Sequence, residues 1–132
     1  MGLMERRRFL MMQKKAVQNI NIWNEEWETG NISSGNPSPG TTSYRSKDYI
    51  PVTPEESYYF YTTRTSNVYC FLYGANKNYL GNYISVGGGR VMNLPSQCYY
   101  LLFVDRNSPT YNTEISINYP ATETGYHPYI PT

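Results

Sequence analysis

From Ile20 onward the chain trades polar for apolar residues one position at a time, and that period of two is the strongest constraint on its fold. Asn19-Ile20-Asn21-Ile22-Trp23 alternates, as do Ser57–Thr63 (SYYFYTT), Asn67–Tyr73 (NVYCFLY) and Glu114–Tyr119 (EISINY). Successive side chains of a strand point to opposite faces, so alternation marks a strand with one dry and one wet face. The runs recur at intervals of roughly 8–12 residues with turn residues between them, the spacing of a sandwich or barrel. The expected fold is all-β: an antiparallel, jelly-roll-like β-sandwich over residues 19–132, preceded by a short basic helix or arm over residues 1–18.

Local signals place the remaining elements. Thr29–Thr42 is rich in Gly, Asn, Ser and Pro and reads as a long surface loop. Tyr49-Ile50-Pro51-Val52 reads as an edge strand, because proline cannot donate to a ladder, and Thr53–Glu56 as a turn. Arg64-Thr65-Ser66 has hairpin length and is expected to join its two flanking strands. Gly74–Asn78 reads as a turn, Tyr79–Val86 as a weaker strand, Gly87-Gly88-Gly89 as a flexible connection and Arg90–Leu94 as a short strand. Gln97–Asp105 (QCYYLLFVD) is the most apolar stretch and belongs at the centre of a sheet. Glu114–Tyr119 closes the sheet, and Pro120–Thr132 lies extended along the body.

Tyrosine occurs 15 times, and charged residues make up only 16% of the chain. A ring that packs and a hydroxyl that stays wet suit half-buried strands and contact surfaces. The small charge is unevenly placed. In residues 1–15 five basic side chains face one acidic one, a net +4, and since the whole chain carries +1 the remainder carries −3. Such a basic end points to an arm that docks on an acidic partner, with Arg6, Arg7, Arg8, Phe9, Leu10 and Met11 as its contact residues; a solvated terminus is the plainer account. Arg6-Arg7-Arg8-Phe9-Leu10 mimics a twin-arginine export signal, but Lys14 and Lys15 cut the apolar run short of the roughly 7–15 residues export requires. No segment approaches the roughly 20 apolar residues of a membrane span, so no membrane partner is expected.

Reactive groups are sparse. His127 is the one histidine, set in a Tyr-His-Pro-Tyr segment, and reads as a surface or packing residue. Asp48 with Asp105, or Glu25, Glu26 and Glu28, could supply the paired carboxylates of a glycosidase, although their spacing fixes no geometry. Cys70 and Cys98 lie in apolar runs and read as buried thiols; a disulfide between neighbouring strands is the alternative, and metal binding has no support. Gly87-Gly88-Gly89-Arg90 lacks the following helix of a phosphate loop. The acidic body argues against specific nucleic-acid binding. No catalytic residue, metal or cofactor is expected. Glycan binding fits the composition better, since Tyr and Trp rings stack on the C–H faces of sugars. Trp27, Tyr44, Tyr83 and Tyr111, beside loops or strand ends, are the candidate contacts, and Trp23 reads as core.

Several stretches together resemble the β-sandwich, carbohydrate-binding-module-like parts of structural proteins of tailed bacteriophages, especially minor tail, baseplate or fibre proteins of phages of gut bacteria. These are Met1–Arg8, the Trp27-Glu28-Thr29-Gly30 turn with its Ser/Gly loop, Arg45–Val52 followed by Pro54–Tyr58, and Phe71–Lys77, where Gly74 stands at a position commonly Asp. The run Ile115–Tyr129 is the most specific of them. The resemblance implies a virion protein made in the host bacterial cytoplasm. Residues 1–18 would dock on neighbouring capsid, neck or tail subunits, in many copies or as a homo-oligomer. The sandwich would face outward as capsid decoration, head fibre or minor tail protein, adhering weakly to host glycans. A small glycan-processing enzyme and a host-encoded surface adhesin are the alternatives.

Overall fold

A computed structural model describes residues 19–107 and 114–131. The basic arm, including Arg6, Arg7, Arg8, Phe9, Leu10 and Met11, and the candidate contact Tyr111 lie outside these residues. The described chain is all-β, and no helix occurs among its residues.

Eleven strands form an antiparallel sandwich: β1 (Trp27–Thr29), β2 (Asn31–Ser33), β3 (Asn36–Ser38), β4 (Tyr44–Ser46), β5 (Ile50–Pro51), β6 (Ser57–Thr62), β7 (Val68–Tyr73), β8 (Tyr79–Ser85), β9 (Arg90–Asn93), β10 (Tyr100–Asp105) and β11 (Ile115–Asn118). The large sheet runs β1-β4-β10-β7-β8, with β5 also on β10; the small sheet runs β11-β6-β9; β2 and β3 pair with each other. β10 is central and β5 peripheral, as expected.

The inner faces of the two sheets share one core. Tyr58, Phe60, Met92, Ile115 and Ile117 of the small sheet meet Val68, Cys70, Leu72, Leu101 and Phe103 of the large one. Trp23 plugs one side, its ring edge-on to Phe103 at 4.6 Å. Both cysteines are buried and free, and burial pushes each thiol up, so they act as small apolar side chains.

Three expectations about connections are corrected. Arg64-Thr65-Ser66 joins no hairpin: β6 belongs to the small sheet and β7 to the large one. β7 is apolar on both faces and requires cover on both, whereas β6 alternates and needs only one. The crossing is pinned by Arg64, whose Nε donates to Asp105 Oδ1 (3.1 Å) and whose Nη2 donates to the Arg106 carbonyl (3.1 Å). Gly87-Gly88-Gly89 likewise crosses between sheets and is packed in place. A Cβ on Gly87 would meet the Thr65 carbonyl at 2.6 Å, and the Gly88 amide donates to the Arg64 carbonyl.

The third correction concerns residues 27–42, expected as a turn and a long loop. Trp27–Thr29 is an edge strand on β4, and β2 and β3 form a hairpin around Ser34-Gly35. Both turn residues have positive φ, 48° and 78°, the backbone of a two-residue turn that follows the strand twist. A single apolar side chain, Ile32, is fully buried and seats this hairpin on the outer face of the large sheet. One apolar residue among polar ones leaves no period to read.

The outer face of the small sheet is covered differently. After Tyr119 the chain folds back across β11. Asn118 Nδ2 donates to the Glu123 and Gly125 carbonyls (2.6 and 2.7 Å), and the His127 amide donates to Ser116 Oγ (3.2 Å). The tail ends beside the start of the described chain. Asn19 exchanges two hydrogen bonds with the backbone of Ile130, and Glu25 accepts from the Tyr126 hydroxyl and the Tyr129 amide.

Candidate functional site

The hairpin covers only part of the outer face of the large sheet, and beside it lies a groove of about 320 Å³ lined by Ser34, Tyr69, Phe71, Tyr79, Tyr83 and Arg106. Its walls follow from register. Phe71 and Tyr73 on β7 face away from the main core, and their direct partners on β8 are Tyr83 and Tyr79. Between these pairs one residue of β7, Leu72, thus faces three of β8, Leu80, Gly81 and Asn82. The irregularity contains Gly81, whose φ of 85° suits glycine, and it returns both tyrosines to the same face. The result is a chain of ring contacts: Tyr69–Tyr83 and Phe71–Tyr83 at 5.6 Å, Phe71–Tyr79 at 5.9 Å, and Tyr73–Tyr79 at 5.7 Å.

The hairpin forms one wall and is held rigidly. The Tyr73 hydroxyl donates to the Gly35 carbonyl at 2.6 Å, and Gly35 lies so close to Tyr79 that a Cβ there would meet the ring at 2.2 Å. Arg45, paired with Glu28, donates from Nη1 to the Asn31 and Ser38 carbonyls (2.8 Å each). Arg106 donates from Nε to Asn31 Oδ1 (2.9 Å) and from Nη2 to the Ile32 carbonyl (2.7 Å), with its guanidinium 4.8 Å from the Tyr69 ring centre. Burial and the neighbouring Tyr83 push the Tyr79 phenol up, which keeps it a neutral donor at physiological pH.

The sequence-nominated residues are scattered relative to this groove. Tyr83 is in it and is 56% exposed, the most exposed of the large apolar side chains among the described residues. Trp27 stands on the inner side, edge-on to Trp23 (5.0 Å) and Phe103 (5.3 Å) at the rim of the core. Tyr44 is half-buried on β4, outside the groove lining. The alternation of Tyr69, Phe71 and Tyr73, mirrored by Tyr79 and Tyr83 across a short turn, was the available signal for the remaining wall. Nothing local marked Ser34 or Arg106: Ser34 comes in on a hairpin with one buried apolar residue, and Arg106 follows β10 and is fixed by bonds to that hairpin.

Other groups fall elsewhere. Asp105 is fully buried against Arg64, while Asp48 is exposed in the β4–β5 connection. His127 Nε2 lies 3.3 Å from Glu123 on the tail. Among the described residues no cluster of His, Cys, Asp and Glu could hold a metal ion, and no helix is long and apolar enough to cross a membrane. Compared with protein-family models, characterised proteins and solved structures, the chain matches none.

Proposed function

We propose that the protein is a display and adhesion module of a phage particle, attached through residues 1–18 and binding surface glycans in the groove between the hairpin and β8. The observation that carries this reading is polarity. Asn19, where the arm joins the body, lies with Ile130 on the small-sheet side, and the aromatic groove lies on the outer face of the opposite sheet. An attachment at one face leaves the other free to meet a surface.

The groove suits sugars physically. Phenol and serine hydroxyls line the groove beside the exposed ring of Tyr83, which can stack on C–H surfaces while the hydroxyls bond the sugar rim. One shallow site of this kind binds weakly, and copies arrayed on a particle convert weak contacts into avidity. Assignment to a virion rests on the resemblance of the strand and turn segments, above all Ile115–Tyr129, to phage structural modules.

Two measurements test the two halves. Cryo-electron microscopy and mass spectrometry of purified particles are expected to find the protein in many copies with its large sheet outward; its absence from particles overturns the virion assignment. A glycan array probed with the full chain in multivalent form is expected to give signals that fall at least about tenfold for Tyr83→Ala. Uniform silence of the array overturns adhesion.

A further inference from the structure

The charge pattern of the groove narrows the ligand. Among the described lining residues Arg106 alone is charged. The ion pairs among the described residues join Arg45 to Glu28, Arg64 to Asp105 and His127 to Glu123, and Arg106 has no carboxylate partner among these residues. A guanidinium has five N–H donors, of which the Nε hydrogen and one on Nη2 are committed to the hairpin. The two on Nη1 and the second on Nη2 have no acceptor among the described residues, and these belong to the end of the guanidinium that a carboxylate engages with two parallel bonds.

Resting on the glycan reading above, we infer that the groove selects acidic oligosaccharides, with a uronate-type carboxylate on Arg106 and the sugar ring against Tyr83. The hairpin bonds and the Tyr69 ring hold Arg106 in one place before any ligand arrives, so little side-chain freedom is lost on binding. A single fixed cation amid neutral phenols matches a ligand with one carboxylate per sugar. A nucleic-acid strand, by contrast, needs a groove of cations that tracks its phosphates.

The test is calorimetric titration of the full chain with a panel of glucuronate, galacturonate and mannuronate oligosaccharides, each beside its neutral methyl ester. An acid form is expected to bind at least about tenfold more tightly than its ester, the preference shrinking as salt is raised. Arg106→Gln should abolish the preference, and Tyr83→Ala should weaken acid and ester alike. Because Arg106 also holds the hairpin, amide exchange over residues 31–38 is followed in parallel. Arg106→Lys, which keeps the charge and loses the fork, should retain part of the preference. Equal binding of acid and ester overturns the acidic-ligand inference and leaves glycan adhesion standing. Silence of every sugar overturns both, and binding of an oligothymidylate as tight as the best uronate overturns the choice of ligand class.

Discussion

Both sheets carry tyrosines on their outer faces, yet the two faces have opposite fates. On the small sheet Tyr59 and Tyr61 alternate with core residues, and the returning tail closes over the neighbouring β11, burying Ser116 and Asn118 and bringing Tyr126 6.1 Å from Tyr61. On the large sheet Tyr69, Tyr79 and Tyr83 also face outward, but the cover is a short hairpin seated by one isoleucine and three polar anchors, and it reaches β8 only at Tyr79, leaving Tyr83 uncovered. The tail lies along β11 and closes over that strand, whereas the hairpin perches on its sheet and makes a wall. On this contrast rests the proposal that the hairpin side, and not the tail side, meets the ligand.

The comparison breaks most sharply at Ile32. Ile32→Ala should cost about 2–5 kcal/mol if the cavity it leaves cannot collapse, and chemical denaturation with amide exchange should find protection lost over residues 31–38 while the tail stays protected. A loss below about 0.5 kcal/mol would mean that the hairpin is held without its apolar anchor. Asn118→Ala is the counterpart on the other face. It removes two hydrogen bonds from a buried side chain and should cost about 1–3 kcal/mol, raising exchange at residues 123–130 and leaving the groove intact.

Tyr83→Ala separates stability from recognition. Its ring is more than half exposed, so thermal unfolding should change by about 0.5–1 kcal/mol while sugar binding drops at least about tenfold. A large stability loss would place Tyr83 with the core instead.

Asp105 belongs to neither outer face and offers the smallest effect. Burial raises its carboxyl above the ordinary 3.8, against the opposing pull of Arg64. A value raised on folding means that the native state holds the proton more tightly. The contribution to stability is therefore complete below the unfolded value and is lost as pH rises through the folded one. Subtracting the stability profile of Asp105→Asn from that of the parent should leave a curve that declines as pH rises from about 3.8. A curve that rises would mean that the pull of Arg64 outweighs burial.

The main layers were legible because alternation and continuous apolar runs report how many faces of a strand are dry. Ser57–Thr62 alternates and occupies the thin sheet, while Tyr100–Asp105 is apolar almost throughout and lies in the middle of the thick one. Alternation does not report which sheet a strand joins, so Arg64-Thr65-Ser66 read as a hairpin although it crosses the sandwich. Nor could composition identify the β2–β3 hairpin, whose cover function resides in Ile32, the Ser34-Gly35 turn and acceptors for the side chains of Arg45 and Arg106, which lie outside the hairpin. Tyr83, nominated as an aromatic residue beside a loop or strand end, lines the groove. Trp27 carried the same aromatic signal and went to the core rim, since its neighbours Trp23 and Phe103 come from distant parts of the chain.

The proposed role depends on which outer face meets a ligand. Ring-labelled tyrosine signals of the full chain, followed by NMR during titration with the uronate oligosaccharides, test it most directly. Resonances of Tyr69, Tyr79 and Tyr83 are predicted to shift together and saturably while those of Tyr59, Tyr61 and Tyr126 stay in place. Movement of the second set, or of neither, would contradict it.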